Sequence, residues 1–460
     1  MSTALWSVFA ATLLGAPFED APAIELRYTG ALAKVARAAD EKPVKRFNLY
    51  CLVIREPEGK RTMAYSLGER GGGGWAWPER FGSVSLDQEL KPAPGNGIRL
   101  LYDYEGTPLV IPLPLPIPAY AGSLKAGAKW SEGKEAWEVA RTQKVQDRNC
   151  WQVHVATSFG RKRTLWIDAE SPLVVALEER VFVGQGDEHA LTMQLESAKP
   201  LDDEQLARNR QVLPALLELQ SALKRSENES RPELTEAQLK LASDALPQLQ
   251  NASADTPFSP LVAAIHKDVK AQLQRSDEVS KLADKFIGKP APAFSLTLSD
   301  KTEVASDSLK DKITVLHFWE YQGEPLVEPY GQVGYLDFLY GKRRKLGVQV
   351  FGVAVDSRIA EDRSSPAALK SIQKLKSFMN LSYPIALDDG KLLARFGDPT
   401  KYGAKLPLWI VIGPDGKIAH FRAGFYKINP DEGLNELDEL LVKLIREQKS
   451  RGDSKDDKKE

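Results

Sequence analysis

The hydrophobic pattern of this chain changes its period along the sequence, and the change divides the 460 residues into segments of different structure. Between 24 and 200, short β-branched and aromatic runs are separated by turn residues, which predicts an antiparallel, curved or closed β-rich domain. Between 201 and 286 the apolar residues recur about every 3.6 positions, which predicts a helical connector. Beyond it, Val348 to Asp356 is a continuous apolar run of the kind that a buried parallel strand needs.

The connector carries three stripes of leucine and other apolar residues, and Thr235 with Gln238 forms a capping box for its second helix. These leucines are expected to form a core. A final amphipathic helix is predicted from Pro430 to Gln448, and the charged residues 449–460 are predicted to be a disordered tail. No motif in the chain predicts a cofactor, and the spacing of its five histidines predicts no metal site.

The totals limit the partners and the thiol chemistry that are open to the chain. Its 62 basic and 63 acidic residues leave a net charge of −1, so no nucleic-acid partner is indicated. The sequence holds two cysteines, Cys51 and Cys150, both in strand-like segments of the β-rich domain. They form either one disulfide or two separate buried thiols. Nothing in the sequence indicates the oligomeric state.

The N-terminal residues 1–23 have features of a secretory signal peptide. An apolar stretch from Ala4 to Ala16 precedes Asp20 to Ala23, which offers a cleavage site between small residues, although no basic residue precedes the stretch. The stretch is too short to span a bilayer. We therefore expect an exported protein of the periplasm or cell envelope without a transmembrane segment, with a cytoplasmic protein as the alternative.

Several motifs beyond residue 287 occur in the order known from one family. They are Ile287 to Leu296, with the pattern G-x-x-A-P-x-F-x-L; Leu309 to Lys312; Ile313 to Leu326, an apolar run that ends in Phe-Trp before a short turn; and Tyr402 to Ile418. This succession resembles the thioredoxin-like redoxin domains of the TlpA/ResA (AhpC/TSA-like) kind. The resemblance covers 287–448 and implies an α/β domain, so that the chain as a whole is expected to be a multidomain α+β protein.

The same resemblance implies that the active-site motif of this domain is degenerate. Pro325 falls on the motif proline, while Gly323 and Leu326 fall on the two cysteine positions, and neither residue can form a thiolate. Pro407 falls on the proline that is cis in the family. A groove that grips an extended peptide is implied at Trp319, Tyr321, Leu406, Pro407 and Leu408.

Three functions remain open from the sequence. The first is a redox-inactive envelope protein that binds a protein or peptide partner, without catalytic residues. The second is a thiol-disulfide oxidoreductase of the TlpA/ResA type that uses Cys51 or Cys150. The third is a carrier of lipid or another hydrophobic ligand, because Leu165 to Asp168 and the following Ser171 to Val174 loosely resemble an open β-barrel of lipoprotein carriers.

Overall fold

The computed structural model describes residues 21–35, 43–70, 80–93, 97–104, 107–119, 124–184, 186–223, 234–320, 332–356, 359, 365–429 and 431–456. It divides into two compact units, Met1–Lys270 and Ala271–Glu460. The boundary falls within one long helix, so the helices that we predicted as a separate connector are shared between the two units.

The first unit is built around a large antiparallel sheet. Its strands and helices are β1 (Ala23–Lys34), β2 (Lys45–Arg55), β3 (Arg61–Arg70), β4 (Phe81–Leu86), β5 (Ile98–Tyr104), β6 (Thr107–Leu113), β7 (Lys129–Glu132), β8 (Glu135–Val145), β9 (Arg148–Thr157), β10 (Gly160–Asp168), β11 (Val174–Val183), β12 (Asp187–Pro200), α1 (Asp203–Ala222), α2 (Glu236–Ser253) and α3 (Ser259–Phe286). Ten of the strands pair in the order β4-β3-β2-β1-β12-β11-β10-β9-β8-β7.

The two faces of this sheet bury different partners because successive side chains of a strand point to opposite faces. The inner face, which carries Leu26, Cys51 and Val153, packs against the hairpin formed by β5 and β6. The outer face near β1 to β4, which carries Tyr50 and Leu52, packs against α1, α2 and the first part of α3. Capping boxes, including the predicted one at Thr235, begin α1 and α2.

The proline-rich run 111–118 packs on the sheet of the first unit. Its first part belongs to β6, whose Ile111 and Leu113 are buried against the inner face of the sheet. Pro108 and Pro112 are four positions apart and therefore share one parity along β6. A strand paired on one side only tolerates prolines whose missing N–H would face away from its partner.

The second unit contains a five-stranded mixed sheet with helices. Its elements are β13 (Ser295–Thr297), β14 (Glu303–Ala305), β15 (Thr314–Glu320), α4 (Val333–Arg343), β16 (Gln349–Val355), α5 (Ser365–Phe378), β17 (Ile385–Asp388), α6 (Lys391–Arg395), β18 (Leu408–Ile412), β19 (Ile418–Ala423) and α7 (Asn435–Asp456). The sheet order is β17-β16-β15-β18-β19. β15 is parallel to β16 and antiparallel to β18, so it lies at the centre of the sheet.

Two segment boundaries differ from those predicted. Ala21 and Ala23 are buried, and the carbonyl of Pro22 accepts a hydrogen bond from the backbone N–H of Arg55. Residues 21–23 therefore pack with the β domain, although the sequence pattern placed them before it. At the other end, α7 continues to Asp456, so the prediction of a disordered tail is wrong for 449–456.

Candidate functional site

The candidate site lies where the central strand of the second unit ends. Both faces of β15 are buried: Val315 and Trp319 belong to the core shared with α4 and α7, and Leu316 and Phe318 belong to the core on the opposite side. Glu320 is the last residue of the strand and is exposed. Burial on both faces fixes the position of the strand end, so the residues that follow Glu320 begin from a rigid support.

Beside this strand end runs the loop that leads into β18. The peptide bond between Leu406 and Pro407 is cis. The carbonyl of Pro407 accepts a hydrogen bond from the backbone N–H of Gly424 at 2.7 Å, and the indole Nε1 of Trp409 donates to the carbonyl of Gly424 at 3.1 Å. These two bonds attach the loop to the segment after β19.

A glutamine fixes the beginning of α4 to the same region. Gln332 is fully buried and holds a positive φ of 65°. Its Nε2 donates to the carbonyl of Tyr426 at 2.7 Å, and its Oε1 accepts from the backbone N–H of Tyr426 at 3.0 Å. The side chain thus satisfies both backbone groups of one buried residue, which would otherwise be costly to bury.

Aromatic side chains of the second unit form a row of contacts that includes Tyr426. The imidazole of His317 stacks on the Trp409 indole with 3.8 Å between centroids, and Trp409 meets Tyr426 edge to face. The Nε2 of His420 lies 2.8 Å from the Tyr426 hydroxyl. Burial, followed by the nearby Arg422 charge, lowers the pKa of His420, and burial raises the pKa of Tyr426. Both groups therefore stay neutral near pH 7 and serve as hydrogen-bonding groups of the core.

The structure distributes the predicted groove residues unevenly. Trp319 and Leu408 are 1% and 0% exposed, which corrects the prediction that these two side chains contact a partner directly. Pro407 is also buried, whereas Leu406 is half-buried and packs on the core with part of its surface open. Tyr321 lies outside the described residues, as do the two positions that the resemblance assigns to the cysteines, Gly323 and Leu326.

Sequence reasoning missed Gln332 and Tyr426 as supports of the site. A lone glutamine after a turn carries no recognisable pattern, because its role depends on a residue 94 positions away. Tyr426 lies in the loop after β19, outside any strand or helix. Pairing between a side chain and a distant backbone leaves no periodic signal in the sequence.

The two cysteines are separate free thiols in the first unit, which corrects the possible disulfide between them. Cys51 lies on β2 and Cys150 on β9, and four strands of the sheet lie between those two. Both are buried. Burial raises the pKa of Cys51 well above that of an ordinary thiol, and burial together with the Asp168 charge raises the pKa of Cys150 to about 12.

The part of the chain that the structure describes shows neither a metal-ligand cluster nor a membrane-spanning helix. Within it, no group of three or more His, Cys, Asp or Glu side chains could hold a metal ion. None of its helices combines the length and the apolar character needed to cross a bilayer.

Comparison with known proteins agrees with this geometry. The model of the AhpC/TSA family matches residues 287–421. The thiol-disulfide oxidoreductase ResA of Bacillus thuringiensis subsp. konkukian is 26% identical over 159 residues, which cover 34% of this chain and 78% of ResA. ResA of Bacillus anthracis is 29% identical over 136 residues, which cover 29% of this chain and 66% of ResA.

Among solved structures, a thioredoxin-family thiol:disulfide interchange protein from Chlorobium tepidum aligns with 34% of this chain and 96% of its own, at 19% identity and a TM-score of 0.27. The family match falls on the unit that holds the mixed sheet, β15 and Pro407. The part of this chain between 287 and 421 is therefore similar to the redoxin domains of the AhpC/TSA family.

Proposed function

We propose that the redoxin domain binds an extended polypeptide and does not exchange disulfides. The observation that carries this proposal is that no cysteine occurs between 287 and 460. Thiol-disulfide exchange begins with the attack of a thiolate on a disulfide sulfur. The domain has no group that could make this attack, whatever its fold.

The resemblance to TlpA/ResA proteins indicates which positions would carry the two cysteines. These positions are occupied by Gly323, which has no side chain beyond a hydrogen atom, and by Leu326, which has a hydrocarbon side chain. Neither side chain accepts electrons or forms a covalent intermediate. In this proposal the domain is a non-catalytic descendant of a redoxin.

The remaining thiols give little support to the alternative, an oxidoreductase that works through the β domain. Cys51 and Cys150 are both buried, so a substrate disulfide could not reach either sulfur without local unfolding. The raised pKa values of both thiols keep them protonated near neutral pH, and the protonated form is a poor nucleophile. The names of the ResA relatives favour this alternative, but the chemistry of this chain's own residues does not.

The carrier hypothesis also receives little support. A hydrophobic ligand in the β domain would need free space on the inner face of the sheet. That face already packs against Ile98, Leu100, Ile111 and Leu113 of the β5–β6 hairpin.

Polypeptide binding would use the backbone more than the side chains. In strand addition, an extended peptide pairs with an exposed backbone segment and places alternate side chains in pockets. Lys405 is exposed and Leu406 half-buried just before the buried Pro407, so this short segment offers backbone and apolar surface together. In this proposal the buried side chains of Trp319 and Leu408 support the segment from the core of the domain.

The catalytic part of the proposal is tested by reduction of a disulfide-bonded test protein. The purified chain should be inert, and the Gly323→Cys/Leu326→Cys double variant should gain activity if the motif register is right. A Cys51→Ala/Cys150→Ala double variant serves as control and should behave as the wild type. Activity of the native chain that disappears in this control would overturn the proposal in favour of the oxidoreductase.

The binding part is tested separately with a panel of fluorescent unstructured peptides. Leu406→Glu should lower the affinity for the bound peptides by about tenfold, because it places a charge on the apolar surface beside the backbone. Phe378→Glu is the matched control, since Phe378 is 88% exposed on α5 of the same domain. Equal loss in both variants, or no binding in the wild type, would contradict a specific groove at Leu406.

A further inference from the structure

Two arginines face each other directly on the outer face of the β domain. Arg46 on β2 and Arg70 on β3 are cross-strand partners in the register of the sheet, and both are exposed. Residues in this relation have Cβ atoms about 5 Å apart. Lys45 and Phe47, which flank Arg46, are buried on the inner side, so the two guanidinium groups point outward from the same small area.

Like charges directly opposite each other destabilise a sheet unless something neutralises them. Within the ranges that the structure describes, neither the side chain of Arg46 nor that of Arg70 makes a hydrogen bond or an ion pair. The same face shows the usual solution at Arg27, whose Nε donates to the carboxylate of Glu25 at 2.7 Å. The chain thus neutralises one arginine of this face internally and leaves the opposed pair open.

As far as the described residues extend, the surroundings of the pair leave room for a ligand. The outward positions beside it are occupied by Asn48 and Gly68, which are exposed, and by Ala31 on the neighbouring strand. A Cβ added at Gly68 would meet one backbone oxygen, at 3.9 Å, which indicates open space above the strand. The helices cover the other end of these strands, where Tyr50 and Ala64 are buried.

We propose that Arg46 and Arg70 together bind a phosphate group on the outer face of the β domain. One guanidinium is enough to bind both oxygens of a carboxylate as a bidentate pair. Two opposed guanidinium groups match a tetrahedral oxyanion, which has oxygens for both and up to two negative charges. The amide of Asn48 on the same face is a further hydrogen-bond donor for such a ligand. This inference is independent of the function proposed for the redoxin domain.

Titration calorimetry of the full chain with inorganic phosphate, at constant ionic strength set by chloride, tests the site. The variants Arg46→Gln and Arg70→Gln should each weaken binding by about tenfold or more, because each removes charge-assisted hydrogen bonds. The phosphate affinity of Arg46→Lys should lie between those of wild type and Arg46→Gln, since lysine keeps the charge and lacks the planar guanidinium group. Arg27→Gln is the matched control, because Arg27 lies on the same face and is already paired with Glu25. Its phosphate affinity should stay within about twofold of that of wild type.

The absence of phosphate binding by the wild type would overturn the proposal. Equal weakening in Arg46→Gln and Arg27→Gln would also overturn it, because the effect would then be diffuse surface charge and an adventitious ion only. All four substitutions are at exposed or half-exposed side chains, and circular dichroism checks that each variant is folded.

A second arm identifies the source of the phosphate group. Co-sedimentation with phosphatidylglycerol vesicles, compared with phosphatidylcholine vesicles, measures recognition of a lipid headgroup. Vesicle binding that is lost in Arg46→Gln and Arg70→Gln, and is displaced by inorganic phosphate, supports the site with a lipid source. Binding of inorganic phosphate without vesicle binding supports the site with a soluble source.

Discussion

The contact between Gln332 and Tyr426 is the most specific polar support of the candidate site, and its removal gives a quantitative prediction. Gln332→Gly deletes the side chain that donates to the Tyr426 carbonyl and accepts from the Tyr426 N–H. Position 332 has a φ of 65°, which glycine adopts more readily than glutamine or any other residue with a Cβ. The variant therefore removes two hydrogen bonds and relieves backbone strain, so the measured loss is a lower bound on the contribution of the two bonds.

The expected magnitude follows from the burial of both partners. Each backbone group of Tyr426 that is left without a partner inside the protein costs about 1 to 3 kcal/mol. Partial rescue by water or by small shifts lowers the sum, so we expect a loss of about 2 to 4 kcal/mol in the free energy of local opening. A factor of ten corresponds to about 1.4 kcal/mol, so amide exchange at Tyr426 should accelerate by about 30- to 700-fold.

Native-state hydrogen exchange followed by mass spectrometry of short peptides measures this acceleration at Tyr426 and along α4. Gln373→Ala is the control, because Gln373 is exposed and makes a single bond to the Ser299 carbonyl at 2.9 Å. The control should change exchange near Ser299 by about tenfold or less. If exchange at Tyr426 in Gln332→Gly stays within about threefold of wild type, the two bonds do not hold the site and the reasoning is refuted.

Three further outcomes are expected. Gly352→Ala should destabilise the second unit by about 1 to 3 kcal/mol in thermal unfolding, because a Cβ at that position would lie 2.8 Å from the Tyr383 ring. A chromogenic thiol reagent should leave Cys51 and Cys150 unmodified at pH 7 until the chain is unfolded by denaturant, and rapid native labelling would contradict their burial. Burial opposes ionisation of Asp438, but hydrogen bonds from two basic side chains of α4 outweigh it and lower its pKa. The stabilisation by this carboxylate is therefore present above about pH 4 and lost below it, and Asp438→Asn should flatten the acid limb of a stability-versus-pH curve.

The second unit could be predicted from the sequence to a large extent, because its elements follow one another in a recognisable order. The run Val348 to Asp356 coincides with β16, and the run after Pro407 coincides with β18. Both strands are buried on both faces, so their composition is apolar throughout. The same property hides which side chains face a site: the resemblance implies a groove at Trp319 and Leu408, whereas both side chains are buried.

The first unit was predictable in class but not in arrangement. Alternating runs indicated antiparallel strands, and most of them are present. The pairing of β1 with β12, however, joins residues more than 150 positions apart, as in the partners Ile24 and Pro200. Such pairing depends on burial of a shared face and leaves no local signal. The hairpin of β5 and β6 contains prolines, which argue against a central strand but are compatible with a strand at an edge.

Stability and function place different demands on the residues of this chain, and the difference determines which of them carry information about its role. Trp319, Gly352 and Tyr383 pack against one another inside the sheet, so the fold requires them whether or not the domain does anything. Their presence therefore cannot distinguish a binding domain from an inert scaffold. Exposed features that the fold does not need are more informative: the surface at Leu406 stays partly open, and Arg46 opposite Arg70 adds repulsion without a packing benefit. Because a cost without a structural return points to a ligand, the arginine pair is the stronger indication of binding in this molecule.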